Sequence, residues 1–348
     1  MLVDSEHSKD LNKNKLLTSE AILNQFMRVL PGIGVSTLVG LAALFLSQHY
    51  DAPAMLFALL LGIALSFLYE DTHCKAGIEF TACHFLRIGV ALLGLRIAFG
   101  DLAALGWTTA LLLVVAIIST IGVGIVLAKT LGLQKRFGVL TGGAVGICGA
   151  SAAMAIAAVM PESNHKDRDT SLTIIGVTSL STVAMVLYPI IASALNLDET
   201  NTSIFLGGTI HDVAQVVGAG YSVSEQTGDL ATLTKLVRVA FLMPVVLCTL
   251  LILRLNVDQV ADSKPLIMPK FLIIFVILMT INSVIEIPAA ITNAGAEISR
   301  YALVISITAI GMKSNLKSLL EVGIRPIILM VSESLWIAGL ILLAVCYL

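Results

Sequence analysis

Long apolar runs, separated by short polar stretches, dominate the sequence. A helix needs about 20 residues to cross the hydrocarbon of a bilayer, so runs near this length are interpreted as membrane spans. Nine runs qualify, at residues 29–48, 53–69, 79–98, 107–129, 170–195, 230–253, 270–287, 298–313 and 324–346. The pattern predicts an all-α polytopic membrane protein, with a transmembrane domain (29–348) behind a cytoplasmic N-terminal tail (1–28).

Two further apolar segments break this pattern, because small and polar residues replace the leucines of a lipid-facing helix. They cover residues 137–161 and 205–221 and contain the pairs Gly142-Gly143 and Gly207-Gly208. Non-helical backbone at membrane depth survives only where it is buried in protein or lines a cavity. We therefore predict two discontinuous or re-entrant helical segments that together form the functional site.

Composition supports the membrane class and removes several alternatives. Hydrophobic residues make up 57% of the chain, charged residues only 13%, and the mean hydropathy is +0.96, which excludes a soluble fold. The cysteines are scattered without CxxC or metal-ligand spacing, so neither a disulfide nor a metal site is expected. A GxxxxGK[ST] phosphate-binding motif is absent, so the sequence does not indicate an ATP-driven pump.

Lysine and arginine set the predicted orientation, because cytoplasmic loops carry them in excess. Lys135, Arg136 and Lys166 flank the first glycine-rich segment, so both of its ends are predicted to be cytoplasmic. The stretch 222–234 holds no Lys or Arg, which favours external ends for the second segment. The two segments then form hairpins that enter the membrane from opposite faces. The alternative is that both cross fully as broken helices.

A short internal repeat indicates inverted symmetry. Residues 94–106 (GLRIAFGDLAALG) resemble residues 311–323 (GMKSNLKSLLEVG) in the spacing of the outer glycines and in the cation two positions after the first. The predicted orientation gives the two stretches opposite directions across the membrane. Inverted repeats of this kind are typical of secondary transporters.

Ionisable residues at membrane depth are costly and therefore indicate function by default. His211 and Asp212 lie in the middle of the second glycine-rich segment, beside Thr209 and Gln215. Histidine changes charge near neutral pH, and an adjacent aspartate binds a cation or relays a proton, so this pair is predicted to couple transport to H⁺ or Na⁺. The alternative is that these groups only satisfy their own backbone. Other ionisable residues within spans are Arg87, Arg96, Arg238, Glu286 and Glu333.

The first glycine-rich segment is predicted to bind an anion. A helix over 152–159 with Ser151 as its N-cap would present free N–H groups and a partial positive charge, and Arg87 or Arg238 would lie nearby. The alternatives are that Cys148 only packs, that both arginines reach toward the membrane surfaces, and that Lys235 is interfacial. The predicted substrate-binding residues are Gly142, Gly143, Gly146, Cys148, Gly149, Ser151, Gly207, Gly208, Thr209, Gln215, Arg87 and Arg238.

Three motifs, GICGASAAMAIAAVMP, GGTIHDVAQVVGAG and LRIGVALLGLRI, resemble the YeiH-type family of bacterial inner-membrane proteins, often labelled sulfate exporters. The resemblance extends from about residue 30 to the C-terminus. It implies a secondary transporter distantly similar to bile-acid/sodium symporters and sodium/proton antiporters, in which broken helices move against a scaffold. In those better-known relatives the discontinuous elements cross the membrane fully.

These observations favour a secondary active transporter of a small anion (sulfate, sulfonate or a related organic anion), coupled to H⁺ or Na⁺ and without a cofactor. A homodimer fits the resemblance, and no feature indicates a nucleic-acid partner. One alternative is a cation exchanger centred on Asp212. An intramembrane enzyme that pairs Ser151 or Cys148 with His211 is another, although no GxSxG or HExxH motif occurs. A channel is the third.

Overall fold

The computed structural model describes residues 3–347 except positions 51, 71, 162, 164, 257–269, 286 and 315–321. Over these residues the chain is helical and contains no strand, which confirms the predicted all-α class. A π-helical turn, Thr81–Phe85, joins α4 to α5. The helices are α1 Val3–Tyr50, α2 Ala54–Ala64, α3 Phe67–Glu70, α4 Thr72–Phe80, α5 Leu86–Leu93, α6 Phe99–Thr130, α7 Lys135–Gly146, α8 Ala150–Val159, α9 Lys166–Ala194, α10 Glu199–Thr209, α11 Val213–Tyr221, α12 Glu225–Ala240, α13 Leu242–Asn256, α14 Lys270–Val284, α15 Ala289–Lys313 and α16 Ile324–Tyr347.

Six helical stretches within the described part of the chain are long and apolar enough to cross a membrane. They are Met27–Tyr50, His73–Leu93, Phe99–Thr130, Lys166–Ala194, Glu225–Ile252 and Ile324–Tyr347. The predicted span 53–69 is instead divided into α2 and α3, and the predicted span 270–287 corresponds to the 15-residue α14. Helix α1 begins at Val3, so the backbone of the predicted tail continues the first span. Glu286 lies outside the described residues.

The helices pack as two groups. The first helical group contains α1 to α5, α14 and α15, and the second helical group contains α6 to α13 and α16. Small residues allow close packing within each group; a Cβ built on Gly62 of α2 would lie 2.9 Å from the Cα of Gly311 in α15. Contacts of α11 with α2 and α15, and of α14 with α6, join the groups.

Helix α6 defines two ends of the bundle. It follows Arg96 and precedes Lys135, so we name the two ends the Arg96 face and the Lys135 face. Helix α7 returns antiparallel to α6, with Gly138 against Gly124 and Gly146 beside Ile117. Because Ile117 lies in the middle of α6, α7 ends halfway between the two faces.

Candidate functional site

Helices α7 and α8 form a first helix pair that folds back on itself. The helices are interrupted at residues 147–149, and a Cβ built on Gly143 would lie only 2.2 Å from Cδ1 of Ile156. These residues lie on opposite sides of the break, so the two helices run back along each other. Phe137, near the start of the pair, and Met160, just after its end, line one cleft at the Lys135 face.

Helices α10 and α11 form a second helix pair. The break covers residues 210–212, and α12 packs along both helices. Ser224 Oγ donates to Glu199 Oε1 at 2.6 Å, which ties the start of α10 to the residues that follow α11. Glu225, the next residue, contacts Arg96 at 3.4 Å, so both ends of this pair lie at the Arg96 face. The helix starts at Glu199 rather than at the predicted residue 205, with the Asp198 side chain as its N-cap.

The two breaks meet inside the bundle. A Cβ built on Gly149 would lie 3.1 Å from Oδ1 of Asp212, and Gly149 has φ 64°, a conformation that favours glycine. Helix α8 begins at Ala150 and α11 at Val213. The N-termini of both helices, with their free N–H groups and partial positive charges, thus start from this meeting point.

Two buried cations of α12 lie against the opposite helix ends. Lys235 Nζ donates to Ile147 O at 2.6 Å and to Ile210 O at 2.9 Å, so it bridges the two breaks. Lys235 is fully buried, so the predicted interfacial position was wrong. Lys235 and Arg238 are spaced i, i+3 and share one face of α12, a signal that the sequence did contain.

Arg238 makes the denser set of contacts. Its guanidinium has five N–H donors, and five hydrogen bonds to main-chain oxygens engage it. They are Nε to Gly146 O (3.0 Å), Nη1 to Gly207 O (3.2 Å) and Ile210 O (3.2 Å), and Nη2 to Val145 O (2.9 Å) and Gly146 O (2.8 Å). These carbonyls lie at the ends of α7 and α10, where the helix dipole is negative. Arg238 therefore stabilises both breaks and has no donor left for a substrate.

His211 and Asp212 lie in the second break but face different surroundings. His211 is buried, with Nε2 2.9 Å from Ser334 Oγ of α16. Ser334 donates its hydrogen to Met330 O at 2.7 Å, so the histidine donates through Nε2–H and its Nδ1 has no partner among the described residues. Asp212 is half-buried, and its carboxylate accepts no hydrogen bond from the described part of the chain. Lys235 and Lys313 act on this carboxylate with their positive charge.

The remaining predicted site residues divide into packing positions and surface positions. Gly142, Gly207 and Gly208 each adjoin a neighbouring helix closely, and Gly146 is in ordinary contact with Ile117. Cys148 is buried, and Thr209 donates to Phe205 O at 2.6 Å. Gln215 is buried in α11, with Oε1 unpartnered among the described residues.

Two predicted positions are displaced from their expected roles. Gly149, and not Ser151, occupies the N-cap of α8; Ser151 is exposed in the first helical turn. Arg87 is exposed on α5, in the first helical group, so the fold does not bring it to the breaks. The prediction for Ser151 assumed that α8 begins at residue 152 and not at Ala150, and the prediction for Arg87 assumed that α5 packs beside the breaks.

Comparison with known proteins shows which family the chain belongs to. The family profile described as "Conserved hypothetical protein 698" matches residues 31–330. Similar proteins are the UPF0324 membrane protein CT0845 of Chlorobaculum tepidum (50% identical, covering 91% of this chain and 89% of that protein) and RB0971 of Rhizobium meliloti (52%; 91% and 93%). A third is the UPF0324 membrane protein TauZ of Paracoccus denitrificans (49% identical; 88% and 92%).

No solved structure matches this chain. The matches extend over most of the sequence and confirm the family membership that the three motifs predicted. Six helices among the described residues are able to span a bilayer, and the relatives are named as membrane proteins, so this is a membrane protein. The chain belongs to the conserved hypothetical protein 698 family, the UPF0324 membrane proteins.

Proposed function

We propose that this protein is a secondary active transporter of a small anion, such as sulfate, a sulfonate or a related organic anion, working by alternating access. The observation that carries the proposal is the meeting of two broken helix pairs at Gly149 and Asp212. Discontinuous helices that meet near mid-depth form the substrate sites of many secondary transporters. The division into two helical groups supplies the two bodies that alternating access requires.

The charges around the meeting point favour an anion. Lys235 and Arg238 carry two positive charges and Asp212 one negative charge, while the negative ends of α7 and α10 are already bound by the two cations. The N-termini of α8 and α11 remain, and helix N-termini bind small oxyanions through their free N–H groups. A site with this balance attracts an anion and still holds one carboxylate for a coupling ion.

Opposite directions of matched stretches support an inverted repeat. Helix α16 runs antiparallel to α6, with Glu333 beside Gly124 and Trp336 bonded to Ser119. The two similar stretches both end in a glycine with positive φ. Gly106 (φ 76°) lies at the kink near the start of α6, and Gly323 (φ 89°) lies directly before α16. We infer that the two helix pairs are re-entrant hairpins that enter from opposite sides.

The orientation follows from the charges at the two faces. The Lys135 face carries many basic residues and is proposed to be cytoplasmic, together with the N-terminus, in a bacterial inner membrane. These residues include Lys129, Lys135, Arg136, Lys166, Arg168, Lys270 and Arg325. Catalysis is less well supported, because Ser151 is exposed on α8 while His211 Nε2 is engaged by Ser334.

Thermal stabilisation and counterflow test the proposal together. Purified protein is heated with sulfate, sulfite, sulfonates or dicarboxylates at two pH values, with and without sodium, since a ligand of the folded state raises its apparent stability. Proteoliposomes loaded with the stabilising anion should then exchange it for the labelled anion outside. Gly149→Ala should abolish both signals, because its methyl group would press against Asp212 and strain the backbone. Gly122→Ala, on an open part of α6, is the control.

A cation exchanger centred on Asp212 is the second candidate, favoured by the free carboxylate of this residue at a point rich in main-chain oxygens. The variant Asp212→Asn distinguishes the anion transporter from the cation exchanger. An anion site should keep or strengthen its anion-induced stabilisation when a negative charge is removed. Stabilisation by sodium or protons alone, lost in Asp212→Asn, would replace the anion proposal with cation exchange.

A further inference from the structure

A second buried carboxyl group lies outside the meeting point of the two helix pairs. Glu333 of α16 is 0% exposed. Its Oε1 lies 2.8 Å from Thr141 Oγ1 of α7, and its Oε2 has no hydrogen-bond partner among the described residues. Gly124 of α6 leaves the space for the carboxyl group, since a Cβ there would lie 2.4 Å from Oε1. This arrangement is a closed pocket for one carboxyl group.

Only one hydrogen-bond donor among the described residues serves the carboxyl group of Glu333. Thr141 Oγ1 donates to Glu333 Oε1 at 2.8 Å, and Phe137 O at 3.1 Å and Gly138 O at 3.5 Å compete for the same hydroxyl hydrogen. No described residue donates to Oε2. A carboxylate here would keep one charged oxygen without a hydrogen bond, which favours the neutral acid.

The charges around Glu333 favour the same state. The groups that face its carboxyl are Thr141 of α7 and Gly124 of α6; α9 contributes Gly176 beside Met330, and α10 contributes Gly208 beside Ile341. The titratable side chain next to this part of α16 is His211, which bonds to Ser334, the residue after Glu333. Over the described residues no cation pairs with Glu333, and no cluster of ligands able to hold a metal ion occurs. A buried carboxylate without a counter-charge is strongly disfavoured.

We propose that Glu333 is a proton-binding site that loads and unloads during transport, so that the coupling ion is H⁺. Consecutive residues of α16 contact both helix pairs: Glu333 contacts Thr141 of the first, and Ser334 contacts His211 of the second. A movement of the pairs relative to α16 that admits water to Oε2 would release the proton. This inference rests on the proposed transport function, but its protonation state can be measured without transport.

Infrared spectroscopy of the purified wild type measures the protonation directly. The carbonyl stretch of a neutral carboxylic acid should be present at neutral pH, should be lost in Glu333→Gln and should remain in Glu297→Gln, whose side chain is exposed. Isotope labelling of glutamate in the wild type assigns the band to glutamate even if Glu333→Gln fails to fold. A wild type without a protonated glutamate band at neutral pH overturns the proposal.

Proteoliposomes with an entrapped pH indicator measure the coupling. Wild type and Glu297→Gln should move protons together with the anion, whereas Glu333→Gln should retain anion counterflow and lose proton movement. Proton movement at the wild-type rate in Glu333→Gln overturns the coupling role. If the wild type itself exchanges no anion, the proposed function falls and the coupling role falls with it. The infrared band then still decides whether Glu333 holds a proton.

Discussion

At the scale of single residues, the two buried cations of α12 are bound by main-chain oxygens and not by carboxylates. Lys235 and Arg238 together engage carbonyl groups at both breaks. Helices broken within a membrane leave carbonyls that no water can satisfy. The cations complete the hydrogen bonding of the breaks and keep positive charge beneath the proposed anion site.

Arg238→Met should reduce stability more than any surface substitution. Each buried carbonyl that loses its partner costs about 1–3 kcal/mol, so we expect a loss of at least about 3 kcal/mol. Arg238→Lys should fall between the wild type and Arg238→Met, because a lysine ammonium has three donors where the arginine guanidinium has five. The measurement is the apparent melting temperature in detergent, with exposed Arg87→Met as the control. Equal melting temperatures for Arg238→Met and Arg87→Met would contradict this assignment.

At the scale of helices, the two glycine pairs let each broken helix approach a neighbour closely. Cβ atoms built on Gly142 and Gly207 would press on backbone, at 2.8 Å from Ile121 Cα and 2.4 Å from Ala231 O. A Cβ on Gly143 would instead meet the movable end of the Ile156 side chain. The glycines therefore differ in how much an added methyl group costs.

Gly142→Ala and Gly207→Ala should each destabilise the protein by about 1–3 kcal/mol, the usual cost of overpacking a rigid contact. Gly143→Ala should cost less than about 1 kcal/mol, since Ile156 can change rotamer. Gly122→Ala, with open space around it, should be neutral. Denaturation midpoints of the four variants give the ranking. A Gly143→Ala variant as unstable as Gly207→Ala would refute the packing described for the first pair.

The entry side of each helix pair has its own test. In a variant without native cysteines, Gln134→Cys and Ser163→Cys should react with an impermeant thiol reagent from one side of the membrane. Thr200→Cys and Gln226→Cys should react from the other; the native side chains at all four positions are exposed. If Gln134→Cys and Ser163→Cys react from opposite sides, the first pair crosses as a broken helix and the re-entrant interpretation fails.

At the scale of the whole molecule, an ion-pair cluster joins the two helical groups at the Arg96 face. Arg96, at the end of α5, contacts Asp229 of α12 at 3.1 Å and Glu225 at 3.4 Å. Tyr221 of α11 donates to the same aspartate. Ser47 and Ser299 of the first group, with Arg96, Tyr221 and Glu225, line a cavity of about 200 Å³ there. The cluster would have to open if the groups move apart at this face.

Asp229→Asn should therefore accelerate anion counterflow several-fold while lowering stability by only about 1 kcal/mol or less, because the pair is partly exposed. Asp169→Asn is the matched control, since it breaks the Arg168–Asp169 pair within α9 without touching the boundary between the groups. Initial rates in proteoliposomes and melting temperatures are measured for both. Counterflow at the control rate in Asp229→Asn would show that the cluster does not limit the movement.

The sequence by itself determined the helical membrane class, the two glycine-rich segments and the family. Apolar run length and residue type carry this information, because each span is stabilised by its own backbone hydrogen bonds in a bilayer. The breaks at residues 147–149 and 210–212 lie within these two segments, whereas the pairs Gly142-Gly143 and Gly207-Gly208 lie inside α7 and α10. Hydrophobic periodicity indicates which residues can lie in lipid, and this information is contained in each segment of the sequence separately.

Only the tertiary structure decided what the buried charges contact. Lys235 meets a carbonyl 88 residues away, and Glu333 meets Thr141 at a separation of 192 residues. Such partners depend on how two broken helices and α16 pack, which no local pattern encodes. For this reason the sequence predicts an interfacial Lys235 and a substrate-binding Arg238, whereas in the structure main-chain oxygens engage the donors of both. The enclosure of Glu333 likewise emerged only when α6, α7 and α16 came together.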